Sequence, residues 1–305
     1  MSETTRKSFF SLRKHSGAFE RLSLAIGIAG TLLLAAGFAE TLFPSPPTKT
    51  HTKWHGFKKQ EFVMDARGCY VVFPKSAAPG RPWIWRARFP NYHPKIDATL
   101  LAKGFHIAYM DVAGLYGCPR AVEHWDKFYK HVLGEFHLAR KMTLEGVSRG
   151  GLIVYNWAAR NPDKVNAIYC ESPVCDLKSW PGGRGAGLGS PNDWTGALAA
   201  YGFTEVEMLR FRGNPVDHLE PLAKARVPVL HVVCDQDQVV PPEENTDVLY
   251  SRYTALGGPM MVFRNMGKPQ TLHGHHFPLD DPEMVVDFVL RHTPGTAQFM
   301  GAGEE

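Results

Sequence analysis

Residues 141–160 read KMTLEGVSRGGLIVYNWAAR. Residues 141–145 have the make-up of a short strand, and residues 152–160 that of a helix stopping before Asn161-Pro162. Between them, Gly146-Val147-Ser148-Arg149-Gly150-Gly151 is G-x-S-x-G at a strand-to-helix turn. Glycines two positions either side of Ser148 suit a turn so sharp that side chains there would clash. Such a turn exposes the serine at the carboxyl end of the strand, where the N-terminus of the next helix stabilises developing negative charge. A bare G-x-S-x-G is common by chance, and a plain glycine-rich turn is the bland alternative. Its place between strand and helix is what gives it weight.

On both sides of this turn the chain alternates short β-rich runs with amphipathic segments. Strands are predicted at KQEFVMD, GCYVVFP, PWIWRARF and residues 105–112, then at 164–171, 227–234 and 260–264. Helices are predicted over 96–103, 119–136, 243–256 and 283–291. Strand and helix in alternation imply an α/β fold, a mostly parallel sheet with helices on both faces. No internal repeat interrupts it. Residues 173–222 do break the pattern, with PGGRGAGLG and two short helical runs. They read as a lid or cap insertion over the carboxyl ends of the strands. Trp180, Trp194, Tyr201 and Phe203 in it would either close over a ligand, with Trp180 binding substrate, or form a small satellite core.

A serine hydroxyl is a poor nucleophile until a base takes its proton, so a histidine and an orienting carboxylate are needed downstream. The stretch VPVLHVVCDQDQVVPPEEN ends a late strand with Asp235 and Asp237, and a later loop offers His273-Gly274-His275-His276. The three histidines and nearby aspartates would also suit a metal, but without a recognised ligand spacing and with the Ser148 turn left unexplained. No metal and no cofactor is expected.

Composition narrows the field. A chain of 305 residues suffices for one large α/β domain or two small ones. Most of the formal charge of +4 lies in residues 1–21, so the near-neutral remainder has no footprint for nucleic acid. Residues 22–39, LSLAIGIAGTLLLAAGFA, carry no charge and follow that basic stretch. They read as a signal peptide, with Gly37 and Ala39 placed for cleavage, or as a signal anchor in the membrane; a buried helix is the bland alternative. Either reading implies an exported protein, periplasmic, secreted or anchored. The expected organisation is a signal at 1–39, a linker at 40–56, the main domain at 57–293 and a flexible tail at 294–305. The five cysteines are too few and odd in number for a disulfide scaffold, although Cys170 and Cys175 are close enough to pair in an oxidising compartment.

The runs PWIWRARF, GFHIAYMDV, LEGVSRGGL, ESPVCDLKSWPGG, GNPVDHLEPLAKARVPVLHV and GHHFPLDDP resemble exported bacterial α/β-hydrolases similar to the catalytic module of the prolyl oligopeptidase family. The resemblance implies the α/β-hydrolase fold and the order serine, acid, histidine. It assigns the acid to Asp237 through a strand-ending G-x-x-D-x-x-V-P pattern, with Cys234 at the glycine and Asp235 structuring the loop. It selects His275, which follows a glycine, over His276 and His273. It further implies an oxyanion hole from the Arg149 amide and a second amide at Ala87 or Arg88, although the usual His-Gly pair is absent there. Arg86, Arg88 and Arg149 would then approach the pocket; Arg86 and Arg88 either hold an anionic or polyhydroxylated substrate or serve as structural ion-pair partners. The segment between the signal and the third strand is too short for the propeller domain of such peptidases. That favours an esterase on a small-molecule or polysaccharide ester, a carbohydrate ester first. A peptidase or amidase with the same triad, or a non-catalytic binding protein on the same fold, stands beside it.

Overall fold

The computed structural model describes residues 49–265 and 271–299. Its strands are β1 (Thr50–Trp54), β2 (Phe57–Met64), β3 (Arg67–Phe73), β4 (Trp83–Arg86), β5 (His106–Met110), β6 (Met142–Val147), β7 (Val165–Glu171), β8 (Val229–Cys234) and β9 (Met260–Asn265). Its α-helices are α1 (Pro94–Ala102), α2 (Pro119–Phe136), α3 (Gly150–Arg160), α4 (Pro191–Tyr201), α5 (Glu205–Arg210), α6 (Glu220–Lys224), α7 (Thr246–Ala255) and α8 (Pro282–His292). All strands join one sheet in the order β1-β2-β3-β5-β4-β6-β7-β8-β9. The first three and the β3–β5 pair run antiparallel; from β5 onward every pair is parallel.

Strand alternation divides the interior into two layers. Trp83 and Trp85 of β4 and Met142 and Leu144 of β6 face α2 and α3, whose Trp125, Phe128 and Trp157 complete that core. The Trp85 ring stacks on Trp125 with centroids 4.1 Å apart and meets Trp157 edge-on at 4.9 Å. On the other face, Ile84, Ile107 and Tyr169 pack with Ile96 and Leu100 of α1 and Val285 and Val289 of α8. Among the described residues no helix is long and apolar enough to cross a membrane, and residues 1–39, read as a signal, lie outside them.

Two boundaries differ from expectation. The segment 40–56, read as a linker, contains β1, whose register runs from Thr50 opposite Glu61 to Trp54 opposite Phe57. Its side chains are mostly exposed on both faces, so it lacks the apolar alternation that marks a half-buried strand. Of the tail read as flexible, residues 294–299 are docked. Thr296 is buried, its hydroxyl donates to the Leu290 carbonyl at 2.7 Å, and Phe299 packs against the α1/α8 core. This hydroxyl and that of Thr293, which donates to the Val289 carbonyl at 2.8 Å, satisfy carbonyls left open at the end of α8. All five cysteines, including Cys170 and Cys175, are free thiols in buried positions.

A polar layer runs beneath the carboxyl ends of the strands on the α1 side. Arg86, expected to approach the pocket, is instead wholly buried. Its Nη1 lies 2.7 Å from Asp97 Oδ2 and 2.6 Å from Glu145 Oε1, and its Nη2 donates to the Phe89 and Tyr92 carbonyls at 2.8 and 2.5 Å. Burial pushes the Glu145 carboxyl well above its usual range, against the pull of Arg86. The guanidinium thus pins the loop after β4 to β6. Removing one partner of such a buried group is costly because the others stay desolvated and unpaired. Arg86→Met is expected to lower stability by about 3–5 kcal/mol, read as a fall in the urea midpoint. An unchanged midpoint would show that this layer carries no structural load.

Candidate active site

Ser148 occupies the turn between β6 and α3 with φ of 52°, a left-handed conformation uncommon for a non-glycine residue. The turn is crowded as the sequence suggested. A Cβ on Gly146 would come within 3.0 Å of Cys170 Sγ, and one on Gly150 within 3.2 Å of Arg88 Cβ. The Ser148 amide donates to the Glu171 carbonyl at 2.9 Å, which ties the turn to the end of β7.

Ser148, Asp237 and His275 converge, all nearly buried. His275 Nε2 lies 2.9 Å from Ser148 Oγ, and Nδ1 lies 2.7 Å from Asp237 Oδ2. The other Asp237 oxygen accepts the Val239 and Val240 amides, each at 2.9 Å. An ionised carboxylate can only accept, so Nδ1 carries the imidazole proton and the Nε2 lone pair faces the serine hydroxyl. That is the tautomer a general base needs. Asp235, by contrast, is exposed and paired with Arg264. His276 pairs through its backbone with Thr271, and burial, then His275, lowers its pKa. His273 is exposed, and its carbonyl accepts the Gln238 amide at 2.9 Å.

The expected amide donors separate. The Ala87 amide donates to the Glu145 carbonyl at 2.8 Å and is consumed by the sheet, so Ala87 is not an oxyanion donor. The Arg88 nitrogen lies 3.6 Å from where a Gly150 Cβ would stand, against the serine turn. For the Arg88 and Arg149 amides the described residues supply no acceptor.

The aromatic residues of the insertion face inward. Trp180 and Trp194 are buried in a satellite core with Tyr116, Leu152, Leu177 and Met208, and Tyr201 and Phe203 pack against it. The Arg149 guanidinium covers Trp180, 4.9 Å from its ring, and pairs with Asp193 at 2.9 Å. Burial raises the Asp193 carboxyl, but hydrogen bonds from Ser190 and Tyr116 and the Arg149 charge bring it below its usual range. Trp180 therefore offers no open face to a substrate. Asp193 and Tyr116 were not singled out from sequence, since an acid in the first turn of a short helix and a tyrosine before a glycine carry no signal of their own.

Nor did the sequence single out the residues that brace the site. His93 Nδ1 lies 2.6 Å from Glu171 Oε2, its Nε2 lies 3.0 Å from the Phe277 carbonyl, and the Tyr169 hydroxyl donates to Glu171 Oε1 at 2.6 Å. A glutamate ending a buried strand was the available hint.

The fold is that of the α/β-hydrolases. It is similar to puromycin hydrolase, with a TM-score of 0.55 and 19% identity over 85% of this chain and 40% of that one. It is also similar to dipeptidyl peptidase 4 of Porphyromonas gingivalis, with a TM-score of 0.56 and 14% identity over 81% of this chain and 36% of that one. A cold-adapted esterase from an Arctic intertidal metagenomic library matches with a TM-score of 0.52 and 12% identity, over 80% of this chain and 99% of the esterase. The chain thus spans about two fifths of the first two proteins and nearly the whole of the third. No family model and no curated protein matches the sequence.

Gly274 sets the height of the histidine loop. Its φ is 85°, and a Cβ there would stand 2.2 Å from the Gln236 carbonyl oxygen. Gly274→Ala must lift the loop off the acid turn and carry His275 with it. A misplacement of that kind is expected to cost about a hundredfold in kcat with little change in KM for a small hydrolysable substrate. Wild-type kcat in the folded variant would mean the loop tolerates the shift.

Proposed function

We propose that this protein is a serine hydrolase that cleaves a carboxylic ester through an acyl-enzyme on Ser148. The observation that carries the reading is the continuous hydrogen-bonded path from Ser148 Oγ through His275 to Asp237, at 2.9 and 2.7 Å. Ser148 Oγ attacks the ester carbonyl carbon while His275 Nε2 takes its proton. The Asp237 carboxylate stabilises the resulting imidazolium. The oxyanion of the tetrahedral intermediate is received by the Arg149 amide at the head of α3 and the Arg88 amide in the loop after β4. Collapse breaks the carbon–oxygen bond, and the departing alcohol takes the proton from Nε2. Water then attacks the acyl-serine, giving its proton to Nε2, and the carboxylic acid leaves as Ser148 recovers its hydrogen.

The ester reading is supported by an esterase among the similar structures. The peptidase or amidase reading is supported by the larger number of peptidases among the similar structures. A carbohydrate ester remains the first substrate class within the ester reading, although it no longer draws support from Trp180. Export, with residues 1–39 either cleaved as a signal peptide or kept as a membrane anchor, belongs to the same proposal and rests on the sequence of that segment.

The pure protein, assayed on aryl acetates, acetylated sugars and aminoacyl-proline amides, is expected to turn over the esters and leave the amides. Asp237→Asn should stay folded and lose about four orders of magnitude in kcat, because the histidine loses the partner that fixes its tautomer. Asp235→Asn should keep wild-type turnover. Faster cleavage of the amides would favour the peptidase, and reversed phenotypes for the two aspartates would move the acid.

A further inference from the structure

Three hydrogen bonds connect the nucleophile to the histidine loop without passing through the triad. The Ser148 amide donates to the Glu171 carbonyl at 2.9 Å. The side chain of the same Glu171 meets His93 Nδ1 at 2.6 Å. His93 Nε2 reaches the carbonyl of Phe277, two residues beyond His275, at 3.0 Å. Tyr92 adds a second tie, its hydroxyl lying 3.4 Å from the Phe277 amide nitrogen, and its own carbonyl is held by Arg86 at 2.5 Å.

The chemistry of the partners fixes the hydrogens. A carbonyl oxygen only accepts, so His93 Nε2 carries a proton. The Glu171 oxygen facing Nδ1 at 2.6 Å requires a further proton on that contact, whichever atom holds it. The Tyr169 hydroxyl occupies the remaining Glu171 oxygen. Glu171 is buried and His93 is mostly so, which leaves solvent little part in the contact. His93 itself sits in the left-handed region with φ of 47°, at the residue before Pro94 that opens α1. A non-glycine residue in that conformation is held there by its surroundings.

We propose that His93 is a positioning residue for His275, with Glu171 as the anchor that references the histidine loop to the serine turn. This rests on the assignment of Ser148, His275 and Asp237 as the reacting groups. The two segments that must meet, the turn after β6 and the loop beyond β9, are 127 residues apart in sequence. The upstream side of the histidine loop leans on the acid turn through the His273 carbonyl and Gly274. The downstream side leans on His93 and Tyr92. Without the His93 contacts the Phe277 carbonyl loses its strongest tie, and Nε2 is free to drift from Ser148 Oγ.

His93→Phe removes both contacts and keeps a flat ring; His93→Gln keeps an amide able to donate to the Phe277 carbonyl. Both are measured with a small aryl acetate, with sites counted by a fluorophosphonate so that only folded, reactive protein enters kcat. His93→Phe is expected to lower kcat about ten- to a hundredfold with KM nearly unchanged, and His93→Gln to recover most of it. The low-field proton resonance of the His275–Asp237 contact should broaden or move in His93→Phe and return in His93→Gln. If His93→Phe does not fold, His93→Asn, whose shorter amide cannot span both contacts, carries the test through the same loss of kcat and shift of that resonance. Wild-type kcat and an unmoved resonance in a folded variant would overturn the positioning role while leaving the triad intact. A wild-type protein that neither hydrolyses esters nor takes up the fluorophosphonate would overturn the triad assignment, and this role with it.

Discussion

The left-handed turn at Ser148 is the constraint around which the rest of the molecule is arranged. A non-glycine residue there costs on the order of 1–3 kcal/mol and persists only where its surroundings over-determine it. Those surroundings are visible. Gly146 and Gly150 let β7 and the loop after β4 close in, the Ser148 amide is held by Glu171, and Val174 donates to the Ser148 carbonyl at 2.9 Å. With the turn fixed, the serine hydroxyl stands at the carboxyl ends of the central strands, where ligands of open α/β sheets commonly bind.

A polar layer converts that turn into a site. Arg86, Asp97 and Glu145 lie buried under the loop after β4, and Glu171, Tyr169 and His93 lie beside them under the histidine loop. Ion pairs buried this deeply are weak contributors to stability, since desolvation offsets much of the attraction. Their value lies in geometry, because each fixes a loop that the apolar core cannot reach. The stacked tryptophans hold the sheet to α2 and α3, and the charged groups decide where the chain goes once it leaves the sheet.

The alternation of strand and helix was legible because both faces of the central strands are buried, and continuous apolar runs such as VPVLHVVC leave little choice. β1 was not, because its solvated side chains carry no pattern and only its pairing with β2 makes it a strand. The serine turn could be read from its glycines, since a steric need writes itself directly into residue type. Choosing Asp237 over Asp235 and His275 over His276 needed the resemblance to known hydrolases, because adjacent residues of one type differ only in where the backbone aims them. Arg86 and Trp180 went the other way. An arginine at a strand end and a tryptophan in a glycine-rich insertion have the composition of a binding surface, yet Asp97 and Glu145 claim the first and Arg149 and the satellite core claim the second. Both outcomes depend on partners distant in the chain, which no local reading supplies.

The account stands on Ser148 being a nucleophile and not simply a buried hydroxyl. A fluorophosphonate reacts with an activated serine and ignores an ordinary one, and peptide mapping of the labelled protein by mass spectrometry locates the adduct. One phosphonyl group per chain is expected, on the peptide containing Ser148, and none in folded Ser148→Ala. An unlabelled wild-type protein under conditions that label a known serine hydrolase, or an adduct on any other residue, would contradict it.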